Sequence, residues 1–232
     1  MIRILCIETS LDYCSVSMIE DGKVIDSESI NIKKSHSEFI LILIKNLLKR
    51  VKISLNQLSA IAVNKGPGSY TGLRIGVSTA KGLCFSLDLP LLSVNSLDLM
   101  IYDVKKKNLV ESGSLLCPMI DARRMEVYTK IVKDDLTIIK DTHAKILSID
   151  SFNSLLKINK INFFGNGSSK FKNIIKSNNA VFIEKIIPEA INFNQIVHDK
   201  YLKEKFEDLI NFEPNYLKDY YFKKKYERRN SK

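Results

Sequence analysis

The sequence has 232 residues, of which 45% are hydrophobic, and its formal net charge at pH 7 is +10. This length can bury a core in one large domain or in two small lobes. A membrane-spanning helix needs about 18 consecutive apolar residues, whereas the longest apolar run extends only from Phe39 to Ile44. Composition therefore excludes a helical membrane protein and predicts a globular one.

The N-terminal stretch and the cysteines indicate where the protein works. Glu8 interrupts the first apolar stretch too soon for a secretory signal. The cysteines contain no C-x-x-C pair, and each lies in an apolar stretch: Cys6, Cys14, Cys84 and Cys117. We expect reduced core cysteines in a cytoplasmic protein.

The positive charge is uneven along the chain. Residues 218–232 contain seven Lys or Arg and two acids. Such a run is typical of a solvated tail, and it is also typical of a segment that contacts RNA. The sequence leaves both interpretations open.

The first half of the chain follows the order βββαβαβα. Apolar periodicity and turn residues predict strands at 2–8, 14–19, 23–31, 59–64 and 91–94, and helices at 36–50, 72–87 and from Ser96. Asp21-Gly22 supplies a hairpin turn between the second and third strands.

The second half repeats the same order after a polar stretch from Lys105 to Gly113. The pattern predicts strands at 114–120, 124–132, 136–142, 161–165 and 180–184, and helices at 148–158, after Gly167 and from Pro188. Two tandem ribonuclease-H-like units predict an α/β fold with the actin, Hsp70 and sugar-kinase architecture. We expect an N-terminal lobe at 1–104, a C-terminal lobe at 113–217 and a basic tail at 218–232.

Five of the nine glycines fall between Gly66 and Gly82, in and behind a strand-to-helix loop. The loop matches neither the Walker spacing nor the dinucleotide fingerprint, because Thr71 occupies the required glycine position in both. A helix N-terminus still favours an anion, with Ser69, Thr71 and Arg74 as nearby donors. The alternative is a tight turn that needs glycine for its backbone.

The helix behind the loop carries a small residue at every fourth position. Such a ridge allows close approach of another backbone, and the neighbouring helix at 36–50 is apolar on every side near Phe39–Ile44. We predict a protein–protein interface on Phe39, Ile40, Leu43, Leu47, Gly72, Leu73, Gly76, Ala80, Leu83 and Cys84. The alternative is that the C-terminal segment of the chain buries both helices.

Catalytic groups are few. The three histidines lack metal-ligand spacing and an evident neighbouring nucleophile, so we expect no catalytic residue and no metal site. Glu8 and Asp121 end the first strand of each half, where actin-like ATPases place an acid, but no glycine follows either within four residues. An ATPase or small-molecule kinase acting in a cleft between the lobes is the alternative function.

Several blocks together resemble the TsaB family, also written YeaZ, of tRNA threonylcarbamoyladenosine biosynthesis proteins. The most specific block is GPGSYTGLRIG at 66–76, followed by TAKGL at 79–83. Shorter blocks agree in order: Glu8-Thr9-Ser10, Cys14-Ser15-Val16, His36-Ser37-Glu38, Ser93 to Leu97, Asp121-Ala122-Arg123, Gly165-Asn166-Gly167 and Pro214 to Leu217. The resemblance covers nearly the whole chain.

The resemblance implies an accessory subunit of a threonylcarbamoyl transferase complex, without activity alone. It implies binding to the catalytic paralogue TsaD through helices of the N-terminal lobe, a further ATPase subunit, TsaE, and a homodimer when the chain is alone. It implies no cofactor of the chain itself, ATP use by the assembled complex, and tRNA bound through the complex, with the basic tail 218–232 as a candidate contact.

The family motif also marks residues for contact with an anion or nucleotide. They are Glu8, Thr9, Ser10, Gly66, Gly68, Ser69, Thr71, Arg74 and Asp121. Glu8 and Asn166 stand where the family is often written with Asp, which argues against nucleotide binding by this chain alone.

Overall fold

Two five-stranded mixed sheets form the framework of the protein, whose computed structural model describes residues 1–31 and 36–218. The first sheet has the order β3-β2-β1-β4-β5, with β1 (Arg3–Glu8), β2 (Tyr13–Glu20), β3 (Lys23–Asn31), β4 (Ala60–Gly66) and β5 (Leu91–Asn95). The second has the order β8-β7-β6-β9-β10, with β6 (Leu115–Asp121), β7 (Glu126–Lys133), β8 (Ile138–Ile146), β9 (Ile161–Phe164) and β10 (Ala180–Ile183).

Both sheets have the same topology. In each, the first three strands pair antiparallel and the fourth and fifth add parallel to the first. The prediction of two tandem ribonuclease-H-like units in an α/β fold is therefore confirmed.

The helices are α1 (His36–Val51), α2 (Tyr70–Leu87), α3 (Ser96–Lys106), α4 (Asn153–Leu156), α5 (Ser168–Lys172) and α6 (Asn194–Leu202). Short 3-10 turns occur at Leu55–Gln57 and Ala190–Asn192. Within the described part of the chain, no helix combines the length and apolar character needed to cross a membrane.

One expected helix of the second half is much shorter than the sequence predicted. The helix expected over 148–158 is reduced to α4, because Ser148 and Ser151 form a local turn in which the Ser148 N–H donates to the Ser151 hydroxyl at 2.9 Å. Such side-chain bonds compete with helical ones. Phe152 then has a positive φ of 64°, which prevents helix upstream of α4. The helix expected after Gly167 is α5, a short helix of five residues.

The first sheet is covered on both faces, because successive β1 residues point to opposite sides. Leu5 and Ile7 pack in the cluster that contains α1 and α2. Ile4 and Cys6 pack in the cluster that contains Phe193 and Val197 of the C-terminal region. All four cysteines are free and buried, as expected for core residues.

The last part of the chain therefore belongs with the first sheet. The sequence placed the helix from Pro188 in a lobe at 113–217, whereas α6 begins at Asn194 and supplies the cover that the second apolar face of the first sheet requires. Helix α3 meanwhile packs Leu97 and Met100 against the second sheet, beside Leu116 and Phe164. The division into two lobes stays a prediction. Helix α6 comes from the second half of the chain but packs on the first sheet, and helix α3 comes from the first half but packs on the second sheet.

The small-residue ridge of α2 packs against the chain itself. A Cβ at Gly72 would overlap the Thr9 carbonyl oxygen, and a Cβ at Gly76 would overlap the Thr9 hydroxyl. The Thr9 hydroxyl also donates to the Gly72 carbonyl at 2.8 Å. The backbone that approaches α2 closely is thus the β1–β2 loop. At Gly82, by contrast, no heavy atom of the described residues outside the local helix backbone lies within 4 Å of a Cβ built there.

Substituting alanine at two helical glycines separates these environments. Gly76→Ala should lower the free energy of unfolding by about 1–3 kcal/mol, because the methyl group is forced against Thr9. Gly82→Ala should raise it by about 0.5–1 kcal/mol, because the exposed helix loses only the flexibility of glycine. Urea unfolding of both variants measures the difference, and equal effects would contradict the close packing at Thr9.

Candidate functional site

Asn64, a fully buried residue near the end of β4, holds the glycine loop in position through hydrogen bonds. Its side-chain oxygen accepts from the Gly66 N–H at 2.8 Å and from the Ser96 hydroxyl at 2.9 Å. Its NH₂ group donates to the Glu8 carboxylate and to the Ser10 hydroxyl. One amide thus joins the end of β1, the loop and the start of α3, with all its hydrogen-bonding positions used.

The sequence analysis assigned no functional role to Asn64 or Ser96. In the sequence, Asn64 is visible only as a polar residue after the apolar run Ala60–Val63. Strand ends commonly carry such residues, so its position alone did not identify it. Only the fold shows that its amide faces Glu8 and Ser96.

The two acids expected at the cleft have different surroundings. Glu8 is fully buried, and its carboxylate also accepts from the Ser10 N–H at 2.6 Å. Burial raises the pKa of Glu8, and the hydrogen bonds from Ser10 and Asn64 oppose that rise. Asp121 is exposed and forms an ion pair with Lys170. Of the two acids, Asp121 alone lines the cleft.

A cleft of about 1260 Å³ opens between the two sheets. Its walls include Gly68, Ser69, Thr71 and Asp121 from the predicted anion-contact set. The other loop residues of that set are buried by the chain and do not line it: Glu8, Thr9, Ser10 and Gly66. These four residues are buried in this structure. The predicted contact of the set with an anion or nucleotide stays a prediction, as does an anion at Ser69, Thr71 or Arg74.

Ser69 and Arg74 already have hydrogen-bond partners, Ser69 as an acceptor and Arg74 as a donor. The Ser69 hydroxyl caps α2 by accepting from the Gly72 N–H at 3.3 Å. The Arg74 guanidinium lies 4.3 Å above the Tyr70 ring centroid, and its Nε donates to the Tyr216 hydroxyl at 3.2 Å. The Tyr70 and Tyr216 rings lie 4.6 Å apart.

The β6–β7 turn places two arginines on the wall of the cleft. Arg123 and Arg124 are both exposed, with φ angles of 70° and 48°. A non-glycine residue in this left-handed region costs about 1–3 kcal/mol and persists only where surrounding contacts impose it. The sequence assigned no role to Arg124.

No group of three or more His, Cys, Asp or Glu side chains suited to a metal ion occurs among residues 1–31 and 36–218.

The predicted interface residues lie mostly inside the chain. Those buried by its own contacts are Ile40, Leu43, Leu47, Gly72, Leu73, Gly76, Ala80 and Cys84, and Phe39 and Leu83 are half-buried. In this structure α1 and α2 direct most of these side chains onto the first sheet, and the expected contact of the buried set with a partner stays a prediction. The helices do form a surface, but with other residues.

The exposed helical face consists of Leu41, Ile42 and Phe85, with the half-buried Leu48 and Leu83. Leu41, Leu48 and Leu83 line a groove of about 590 Å³ that lies mainly between α1 and residues 52–57, with Leu83 as its one lining residue from α2. The side chains of Leu41, Ile42 and Phe85 are 59%, 50% and 83% exposed. Lys45, Lys49 and Lys52 border the groove.

The C-terminal segment (residues 207–218) covers part of α2, as the alternative interpretation expected, but not the exposed helical face. Glu207 pairs with Leu91 at the edge of the first sheet. The Lys81 ammonium donates to the Ile210 and Phe212 carbonyls at 3.0 and 3.1 Å. Of the predicted basic tail, all but Lys218 lies outside the described residues.

Comparisons with known proteins point to one family. The family model described as tRNA N6-adenosine threonylcarbamoyltransferase (TsaD) matches residues 23–226. The tRNA threonylcarbamoyladenosine biosynthesis protein TsaB of Bacillus subtilis is 38% identical over 54% of this chain and 53% of its own length. The Escherichia coli TsaB is 36% identical over the same shares.

The match thus spans about half the length of these curated relatives. The TsaB of Buchnera aphidicola from Baizongia pistaciae is 28% identical over 93% of this chain and 98% of its own length. The solved structure of YeaZ from Pseudomonas aeruginosa shares the fold with a TM-score of 0.78, at 22% identity over 94% of this chain and 100% of that one. The chain belongs to the TsaB (YeaZ) family, within the wider group that the threonylcarbamoyltransferase family model describes.

Proposed function

We propose that this protein is a non-catalytic subunit of the machinery that makes N6-threonylcarbamoyladenosine at position 37 of tRNA. It binds the catalytic paralogue TsaD through the exposed helical face of α1 and α2. The observation that carries this proposal is the large exposed fraction of Leu41, Ile42 and Phe85 on two adjacent helices.

Apolar exposure of this kind favours a protein partner. Fully burying a Leu, Ile or Phe side chain contributes about 1.5–3 kcal/mol, and the half-buried Leu48 and Leu83 extend the same surface. Gly82 lies three residues before Phe85, with open space around it. A glycine there lets a partner helix approach the α2 backbone closely.

The family points to the identity of the partner. The transferase family model matches most of this chain, so a transferase subunit is expected to carry counterparts of α1 and α2. Two similar helical faces can pair about a two-fold axis. The same geometry accounts for a homodimer when the chain is alone, with TsaD competing for the same face.

A catalytic role for the cleft has less support. Glu8 is engaged by Asn64 and Ser10, and Lys170 neutralises Asp121. Phosphoryl transfer requires groups that position a metal and compensate developing charge, and one ion-paired carboxylate is a poor basis for both. We therefore assign no cofactor to this chain. From the family resemblance we propose that the assembled complex uses ATP, that TsaE is a further subunit and that the complex works in the cytoplasm.

Charge placed on the exposed helical face should prevent assembly. Leu41→Asp/Phe85→Asp should weaken binding to TsaD at least thirty-fold. The complex would bury two carboxylates, which must lose their water, in place of two apolar side chains. The matched control is Ile149→Asp/Ile158→Asp, since those side chains are 63% and 81% exposed on the second half of the chain. Sedimentation velocity of the mixed proteins measures the affinity.

The thermal transition of both double variants should remain near that of the unmodified protein, because all four side chains are exposed. Equal affinity of the helical variant and the control for TsaD would contradict the proposed docking face.

The chain alone should neither bind Mg-ATP in the micromolar range nor hydrolyse it, because only one of the two expected acids lines the cleft and Lys170 pairs with it. Calorimetric titration and a phosphate-release assay measure both properties. Micromolar binding with turnover that Asp121→Ala abolishes would instead support the ATPase alternative. Asp121 is the better test position than Glu8, whose replacement disturbs the buried Asn64 network.

A further inference from the structure

The groove beside α1 combines an apolar lining with a border of lysines. Its apolar side chains come from α1, from the segment that follows α1 and from α2: Leu41, Ile44, Leu48, Ile53, Leu55 and Leu83. Lys45, Lys49 and Lys52 line the same groove and are exposed, and these three residues form the lysine rim. Because Leu41 and Leu83 also belong to the exposed helical face, the groove is continuous with the proposed docking surface.

The lysine rim carries a positive charge that the described chain leaves without a counter-charge. None of its ammonium groups lies within ion-pair distance of a carboxylate among residues 1–31 and 36–218. No Asp or Glu is found among the described residues that line the groove. Lys45 and Lys49 are also four residues apart on α1, a spacing at which like charges repel each other.

The acids that contact α1 from β3 are already engaged. Arg50 forms ion pairs with both Asp26 and Glu28, and the Asn46 side chain donates to Glu28 at 3.2 Å. Neither carboxylate lines the groove. The acids beside α1 therefore balance Arg50 and leave the lysine rim uncompensated.

The dipole of α1 accounts for part of the rim only. Cations favour the last turn of a helix, and this effect falls off within about one turn. Lys49 lies in the last turn of α1, and Lys52 follows its end at Val51. Lys45 lies more than one turn before Val51, so the dipole does not explain the whole rim.

We propose that the lysine rim makes the exposed helical face selective for an acidic partner surface. The occupant of the groove is an apolar segment of TsaD that is flanked by Asp or Glu side chains. Its carboxylates meet the ammonium groups of the rim, while the lysine stems extend the apolar contact. The proposal deepens the proposed function and rests on it for the choice of TsaD.

The same rim opposes the pairing of two identical copies. An interface with two-fold symmetry uses the same surface of both chains, so a homodimer through this face contains two lysine rims. Like charges brought together across an interface weaken association. The chain alone therefore self-associates weakly, and a TsaD with acids opposite the rim displaces the second copy.

Neutralising two rim lysines should change the two affinities in opposite directions. Lys45→Gln/Lys49→Gln should weaken binding to TsaD about three- to tenfold, because exposed ion pairs are lost, and should strengthen self-association by a similar factor. Lys157→Gln/Lys176→Gln, the matched control, removes the same charge from two exposed lysines of the second half and should change either affinity less than about twofold. Sedimentation velocity over a range of protein concentrations measures both affinities.

Salt provides a second readout on the unmodified chain. Because salt screens attraction and repulsion alike, raising its concentration should weaken binding to TsaD and strengthen self-association. Three results would overturn the proposal: TsaD binding that the rim variant leaves unchanged or tighter, equal changes in the rim variant and the control, or self-association that neither the rim variant nor salt strengthens.

The double variant Leu41→Asp/Phe85→Asp separates this proposal from the proposed function. If that variant loses TsaD binding while the rim variant retains it, the docking face is supported and its charge selectivity is wrong. If both variants retain full affinity for TsaD, the docking face itself is wrong, and the selectivity with it.

Discussion

The buried amide of Asn64 is the contact on which the arrangement of both surfaces depends. It satisfies the Gly66 N–H and the Ser96 hydroxyl while its own NH₂ group is taken by Glu8 and Ser10. An unsatisfied buried polar group costs about 1–3 kcal/mol. Moving any one of these segments away from Asn64 would leave such a group unpaired. The loop fixes the direction of helix α2, so that Gly72 and Gly76 pack against Thr9 and Phe85 on the opposite side is exposed.

That constraint also separates the chemistry of the two halves. Glu8 contributes to the stability of the loop and is withdrawn from the cleft, whose charged lining residues are Asp12, Asp121, Arg123, Arg124, Glu126 and Lys218. The helices of the first half instead expose apolar side chains, with Phe85 the most exposed of them. The exposed apolar residues of α1 and α2 and the charged residues of the cleft wall therefore come from different parts of the chain.

Much of this fold follows from local sequence. Apolar runs and turn residues predicted every strand, since a buried strand such as Ala60–Gly66 is recognisable from its own composition. The predicted length of α4 was wrong, because the Ser148–Ser151 turn depends on side-chain bonds that periodicity does not detect. The ridge on α2 correctly indicated close approach, but its neighbour, Thr9, lies far away in sequence. Which side chains of α1 and α2 remain exposed was likewise settled by non-local packing.

Hydrogen–deuterium exchange of the full chain, alone and mixed with TsaD, tests the central claim most directly. The account predicts slower exchange in the complex in peptides that contain Leu41–Leu48 and Gly82–Phe85, with the turn between β6 and β7 unchanged. Protection confined to the cleft, with the exposed helical face unaltered in the complex, would contradict it.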